Sequence, residues 1–167
     1  MNHLLTTQKL PLLAALFFVT LWLTGCAAAF DIDTPTEMVA VEHSKSEYVA
    51  MTHDGVVLRA LVHSQGDGRR DVPRAAHEFW VESMRERMRT RGGYALLEEK
   101  EVESANGHRG TRLEFGRDHD GVPYRYWLVL FVTEDNLHVI DAGGRQDRFD
   151  KASKAIDGAI ESYRVQK

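Results

Sequence analysis

Three kinds of pattern divide this chain. Leu10 to Leu23 is one apolar run with no period. Glu37 to Ser64 and Tyr94 to Ala142 alternate apolar with polar residues, as half-buried strands do, while two further stretches repeat apolar residues every three or four positions, as helices do. In the first alternating stretch Met38, Val39 and Val41 form a short run and Tyr48 to Thr52 a second. His53-Asp54-Gly55 then turns the chain, Asp-Gly being a hairpin dipeptide whose glycine accepts positive φ, before Val56 to His63 resume. Two or three antiparallel strands fit this stretch, and the polar, glycine-containing Gln65 to Arg70 is a loop.

Asp71-Val72-Pro73 predicts a helix start, with an acidic group at the positive end of the dipole and a proline pre-set for the first turn. Ala76, Trp80, Met84 and Met88 recur at four-residue spacing, with Phe79 and Val81 alongside, and form a core-facing stripe. Arg74, Glu78, Glu82, Arg85, Glu86 and Arg89 take the solvated side, and Gly92-Gly93 stops the helix. The basic end, Arg85 to Arg91, suits the helix dipole; contact with anionic lipid is the alternative reading.

Four strands are expected next. Tyr94 to Glu103, with Glu98, Glu99, Glu101 and Glu103, reads as a charged edge strand that discourages pairing with another molecule. Asn106-Gly107 turns into Thr111, Leu113 and Phe115, which alternate with Arg112 and Glu114, and Gly116 to Gly121 is expected to turn the chain again. Tyr124 to Thr133 is apolar on both faces: Tyr124, Tyr126, Leu128 and Leu130 oppose Trp127, Val129 and Phe131. Such a strand is central and covered by a layer on each side. Leu137 to Ala142 follows, and Gly143-Gly144 is expected to end the sheet. A last helix starts at Asp147 and buries Phe149, Ala152, Ile156, Ala159, Ile160 and Tyr163, with Gly158 costing about 1 kcal/mol relative to alanine unless it admits a close neighbour. The predicted class is α+β, an antiparallel sheet of six to seven strands flanked by two helices in an α/β/α sandwich.

The opening apolar run is shorter than the roughly 20 residues a membrane span needs, and with Lys9 before it and small residues after it, it has the build of a signal peptide. It ends in Leu23-Thr24-Gly25-Cys26, which resembles a bacterial lipobox. The resemblance implies diacylglycerol on the Cys26 thiol, cleavage before Cys26, and acylation of the new amino group. One acyl chain holds weakly, but each buried methylene adds roughly 0.8 kcal/mol, so two or three chains anchor durably. Ala27 is not the aspartate that signals inner-membrane retention in Gram-negative relatives, so a periplasm-facing anchor in the outer membrane is expected. The implied organisation is residues 1–25 signal peptide, 26–36 lipidated cysteine and short linker, and 37–167 a single α+β domain. The linker rests on small, acidic and turn-forming residues including Asp31, Asp33 and Pro35; ten such residues reach roughly 30 Å, so partners lie near the membrane.

Composition narrows the function classes. A formal charge of -4, with Lys9 lost on cleavage, argues against nucleic acid as a partner. With its one cysteine acylated, the chain has no internal disulfide, and the mature length of about 140 residues is enough for a packed core.

Gly93-Tyr94, Asn106-Gly107, Arg112-Leu113-Glu114-Phe115, Trp127 to Phe131 and Ala159-Ile160-Glu161-Ser162-Tyr163, in this element order, resemble the PsbP-like superfamily, which includes DcrB-type envelope lipoproteins. The resemblance covers most of Glu37 to Val165. It implies a non-enzymatic accessory domain that docks on larger assemblies. No catalytic motif transfers, and the N-terminal strands match too loosely to place a partner site.

The side chains carry little chemistry by pattern. Among eight histidines there is no HExxH and no pair at helical i, i+4 spacing. The candidate metal ligands are Asp118, His119 and Asp120, joined by Glu114 or His138 if the hairpins bring them near. Gly-x-Ser-x-Gly, Ser-x-x-Lys and phosphate-loop motifs are missing from the sequence, so no cofactor and no catalysis are expected. The expected function is docking or assembly beside the membrane with another envelope protein. The alternative is a small-ligand or lipid carrier using Tyr124, Tyr126 and Trp127, which an apolar pocket between sheet and helix would favour.

Overall fold

A computed structural model describes residues 28–66 and 74–166. In chain order the elements are β1 (Phe30–Asp31), β2 (Val39–His43), β3 (Glu47–Met51), β4 (Val57–Ser64), α1 (His77–Gly92), β5 (Ala95–Glu103), β6 (Arg109–His119), β7 (Val122–Val132), β8 (Asn136–Arg145), α2 (Gln146–Ser162) and β9 (Arg164–Val165). Seven strands form one sheet in the order β2-β3-β4-β8-β7-β6-β5, and β1 pairs with β9 in a small second sheet. Every pairing is antiparallel. This is the α+β arrangement the alternation predicts.

Each hairpin follows from its turn residues. Thr52 closes the β3–β4 turn, its hydroxyl accepting from the Val56 N–H at 2.9 Å and donating to Asp54 at 2.6 Å. Between β6 and β7, Asp120 and Gly121 both have positive φ, 52° and 75°, the backbone shape that two-residue hairpins favour. The two meanders, β2-β3-β4 and β5-β6-β7-β8, meet where β4 pairs with β8 from Val57↔Gly143 to Ser64↔Asn136.

β7 is central and covered on both sides. Trp127, Val129 and Phe131 join the core under α2, while Leu128 and Leu130 join a smaller core under α1. On the α2 side the N-terminal segment extends the cover: Phe30, Ile32 and Met38 pack with Tyr48, Ala50, Leu58 and Ala60.

Four expectations are corrected. The linker assigned to residues 26–36 is, in its second half, part of the fold: Phe30 and Ile32 are 2% and 5% exposed, and Phe30 stacks on Tyr163 with ring centroids 5.4 Å apart. Asp31 between them and Asp33 after them are exposed, so a strand-like alternation lies inside an acidic, unpatterned-looking stretch. The sheet also runs through its glycines, since β6 continues to His119 and β8 to Arg145. At Gly143 a Cβ would lie 2.7 Å from the Tyr126 ring, so this glycine admits a close neighbour and does not break the strand. Gly158, by contrast, has open space around it. Finally, α1 buries Val81 alone, with Trp80, Met84 and Met88 half-buried and Phe79 58% exposed. Its expected start at Asp71-Val72-Pro73 lies outside the described residues, as do the signal peptide and Cys26.

Candidate functional site

Side chains opposite one another across neighbouring strands share a face, so the register lists what each face offers. One row on the α1 side runs Val39, Met51, Val57, Gly143, Tyr126 and Phe115; the next runs Val49, Arg59, Asp141, Leu128 and Leu113. The β6–β8 ends of these rows lie beneath α1. Their β2–β4 ends do not share that cover: Val39 is 69% exposed, Met51 is exposed, and Val49, Val57 and Leu61 are half-buried.

A charged pair sits in the middle of this surface. Arg59 donates through Nε and an Nη to the two Asp141 carboxylate oxygens at 3.0 and 3.1 Å, a bidentate fork across the seam between the meanders. Asp141 is buried, which raises its carboxyl above the ordinary range, while Arg59 and the neighbouring Tyr126 hydroxyl pull it back. Burial likewise raises the Tyr126 phenol.

The two sheet edges differ in kind. All five residues of β2 are exposed, and Val41, at 56%, occupies the register shift between Ala40 and Glu42. Its outer side lacks a neighbouring strand among the described residues, so it presents backbone hydrogen-bonding groups next to apolar side chains. At β5 the side chains are mostly charged and reach into ion pairs. Lys100 pairs with Glu98 at 3.2 Å and Glu114 at 2.7 Å, and Arg112 pairs with Glu114 at 2.8 Å and with Asp157. The Arg112 guanidinium lies 3.5 Å from the centre of the Trp127 ring, close enough for a cation–π contact. These residues line a groove of about 480 Å³ on the α2 side. A second groove, about 530 Å³, runs between α1 and β5–β6 past His77, Glu82, Arg85 and Glu99.

The candidate metal ligands do not converge. Asp118 and His119 end β6 and Asp120 is in the turn, with His119 Nε2 3.7 Å from an Asp120 oxygen on an exposed tip. Glu114 stands opposite Trp127 and is held by Lys100 and Arg112, whereas His138 stands opposite Phe131 near the other end of the strands. Among the described residues, no three metal-ligating side chains form a group. His138 is fully buried, with Nδ1 2.9 Å from the Tyr163 hydroxyl, and burial pushes it down to about 4. Trp127 packs edge-on against Phe149 at 4.9 Å, which makes it a core residue.

Sequence reasoning missed Arg59, Asp141 and the Arg112–Trp127 contact. The signal was present as single charged residues inside otherwise apolar strands, such as Arg59 between Leu58 and Ala60.

No protein-family profile matches the chain, and no curated protein sequence matches it. Solved structures do. LpqN of Mycobacterium tuberculosis, described as involved in cell envelope biogenesis, aligns over 83% of both chains with a TM-score of 0.63 at 12% identity. The cyanobacterial PsbP of Synechocystis aligns over 83% of this chain and 93% of its own, with a TM-score of 0.55 at 12% identity. The fold is PsbP-like. PA94 of Pseudomonas aeruginosa, a protein of unknown function, shares it over 78% of this chain with a TM-score of 0.51 at 10% identity. Among the described residues no helix is long and apolar enough to cross a membrane.

Proposed function

We propose that this chain is a cell-envelope lipoprotein, held to the outer membrane through acyl chains on Cys26, that works by docking on another envelope protein and not by catalysis. The lipobox-like Leu23-Thr24-Gly25-Cys26 supplies the anchor. By that resemblance, the Cys26 sulfur takes a diacylglyceryl group from a phospholipid. The phosphate-bearing headgroup leaves with the thiol proton, water hydrolyses the Gly25–Cys26 bond, and the freed amine takes an acyl group from a second phospholipid ester, which departs as the lysophospholipid with the amine proton.

The observation that carries the docking reading is the β2 edge joined to the open half of the sheet. The occupant it fits is an extended partner segment. Its backbone bonds to β2, and its apolar side chains cover Val39, Met51 and Val57. Shared fold with LpqN, whose description places it in envelope biogenesis, agrees with this setting. A carrier of apolar ligands needs an enclosed apolar cavity. The two larger grooves beside β5 are lined largely by charged side chains instead, and a third, about 340 Å³, past Leu97, Pro123 and Tyr124, also carries Arg117, Asp118 and Arg125, which favours docking.

Two measurements test the reading. Mass spectrometry of the membrane fraction should show a mature chain beginning at acylated Cys26, its maturation blocked by globomycin; Cys26→Ser should leave a soluble or unprocessed product. A photocrosslinker at Val39 or Met51 should give one discrete adduct in cells. The adduct from Met51 should vanish when Val39→Lys and Val41→Lys are introduced without loss of thermal stability, and none should form from a probe at Lys154 on α2. Equal labelling at Lys154, or no adduct from Val39 and Met51, refutes docking at this edge.

A further inference from the structure

We infer that one end of the domain, the end where the β2–β3 turn and both termini of the fold meet, rests on phospholipid headgroups, with the strands directed away from the bilayer. The inference builds on acylation of Cys26 proposed above. The fold seizes the chain almost immediately after that residue. The Ala29 N–H donates to the Lys45 carbonyl at 2.9 Å, and the Ala29 carbonyl accepts from the Gln166 N–H at 3.0 Å. Ala29 also packs against the α2-side core, and Phe30 beside it is in that core. Only Ala27 and Ala28 separate Cys26 from this fixed point.

The reach is therefore small. Three Cα–Cα steps of about 3.8 Å extend to roughly 11 Å at most. Acyl chains inside the hydrocarbon hold Cys26 at its boundary, and the headgroup layer beyond is roughly 5–7 Å deep. Ala29 can therefore stand only a few ångströms clear of the headgroups, and the surface around it must touch them.

That surface is fixed by the fold. Asn106 in the β5–β6 turn donates through Nδ2 to the Val165 carbonyl at 2.8 Å and accepts from the Val165 N–H at 3.1 Å. The Ala105 N–H donates to the Tyr163 carbonyl at 2.8 Å. The turns at Ser44–Ser46 and Ala105–Gly107 and the β1–β9 pair are thereby gathered at one end, together with the Thr133–Asn136 turn, whose exposed Glu134 and Asp135 both pair with Arg74. Ser44, Lys45, Ser46, Asn106 and Gln166 are all exposed there. Lys45 supplies a cation for lipid phosphate, and the hydroxyl and amide groups suit a headgroup layer better than hydrocarbon. At the opposite end are the Thr52–Val56 and Asp120–Gly121 turns, and an eleven-residue strand such as β7 separates the ends by roughly 35 Å. The β2 edge, which has no further strand beside it among the described residues, stands along the side of this upright body, where a partner moving in the same membrane would meet it.

The test uses the full acylated protein, whose own sulfur is blocked as a thioether. Lys45→Cys and Asp120→Cys each carry an environment-sensitive fluorophore. Vesicles of phosphatidylethanolamine and phosphatidylglycerol contain a headgroup spin-labelled quencher. The Lys45 site should be quenched several-fold more than the Asp120 site, and a flexible Gly/Ser spacer inserted between Ala27 and Ala28 should abolish the difference. Equal quenching, stronger quenching at Asp120, or a difference that survives the spacer overturns the orientation while leaving the anchor intact. A mass spectrum without acyl chains on Cys26 overturns both readings.

Discussion

The two helices are nearly equal in length, 16 and 17 residues, yet they relate to the sheet in opposite ways. α2 buries Phe149, Ala152, Ile156, Ala159 and Ile160, its alanines allowing close approach while Phe149 meets Trp127. Just past its end, Tyr163 lies between two stacked rings, Phe30 at 5.4 Å and Phe131 at 5.7 Å. α1 buries Val81 and otherwise rests on half-buried Trp80, Met84 and Met88, the two methionines being flexible side chains that tolerate an imperfect fit. Its outer side is a ladder of exposed pairs such as Arg89–Glu86 at 2.9 Å, worth little individually. The lesson is a division of labour between faces. Cohesion is concentrated under α2, and on the α1 face the β2–β4 half of the sheet stays partly exposed among the described residues.

The largest effect that could break this comparison is a pair of truncations. Phe149→Ala should cost about 3–5 kcal/mol, and Met84→Ala on α1 about 1–2 kcal/mol because its site is already partly wet. Urea denaturation of both variants measures the gap; equal losses would mean that α1 holds the fold as firmly as α2.

Next in size is the seam on the open face. Arg59→Met leaves Asp141 buried without its partner and should cost about 3 kcal/mol at neutral pH. The lone carboxyl would titrate higher in the folded state than in the unfolded one. The penalty should therefore shrink as pH falls and the carboxyl takes up a proton. A loss independent of pH would assign Arg59 a packing role.

The α2 side should have its own acid signature. His138 is held down at about 4 when folded, against 6.5 for a free side chain, so above pH 6.5 it is neutral in both states and adds no pH dependence. Between 6.5 and 4 only the unfolded chain gains the proton, and stability should fall by about 2–3 kcal/mol. His138→Gln should flatten this slope in denaturation midpoints taken across the window. The smallest effect is a gain: Gly158→Ala, on an uncrowded part of α2, should stabilise by about 0.5–1 kcal/mol in thermal melts.

Much of the fold was legible because its causes are local. Asp54-Gly55 and Asn106-Gly107 mark hairpins by their own backbone preferences, and the two-faced run from Tyr126 to Phe131 identifies a central strand without reference to any neighbour. The half-buried state of α1 was not legible, since Trp80, Met84 and Met88 have the spacing of a fully buried stripe whether or not the opposing surface reaches them. Phe30 and Ile32 were hidden for a related reason. Phe30 and Asp31 form a strand only because the C-terminal β9 arrives to pair with it, and Ile32 is buried just beyond.

Read on its own, the sequence determined the order of the main-sheet strands and the two helices, the turns at Asp54-Gly55 and Asn106-Gly107, the α+β class and the lipobox-like site, each written within a few neighbouring residues. Tertiary structure alone decided that the side of β4 turned away from β3 pairs with β8. That choice joins Arg59 to Asp141 across 82 residues and makes β2 an edge of the sheet among the described residues. It also decided that Ala29 is clasped by Lys45 and Gln166, which shortens the tether. Such contacts depend on how faces cover one another in space, and a local pattern fixes which face is apolar without fixing what will lie on it.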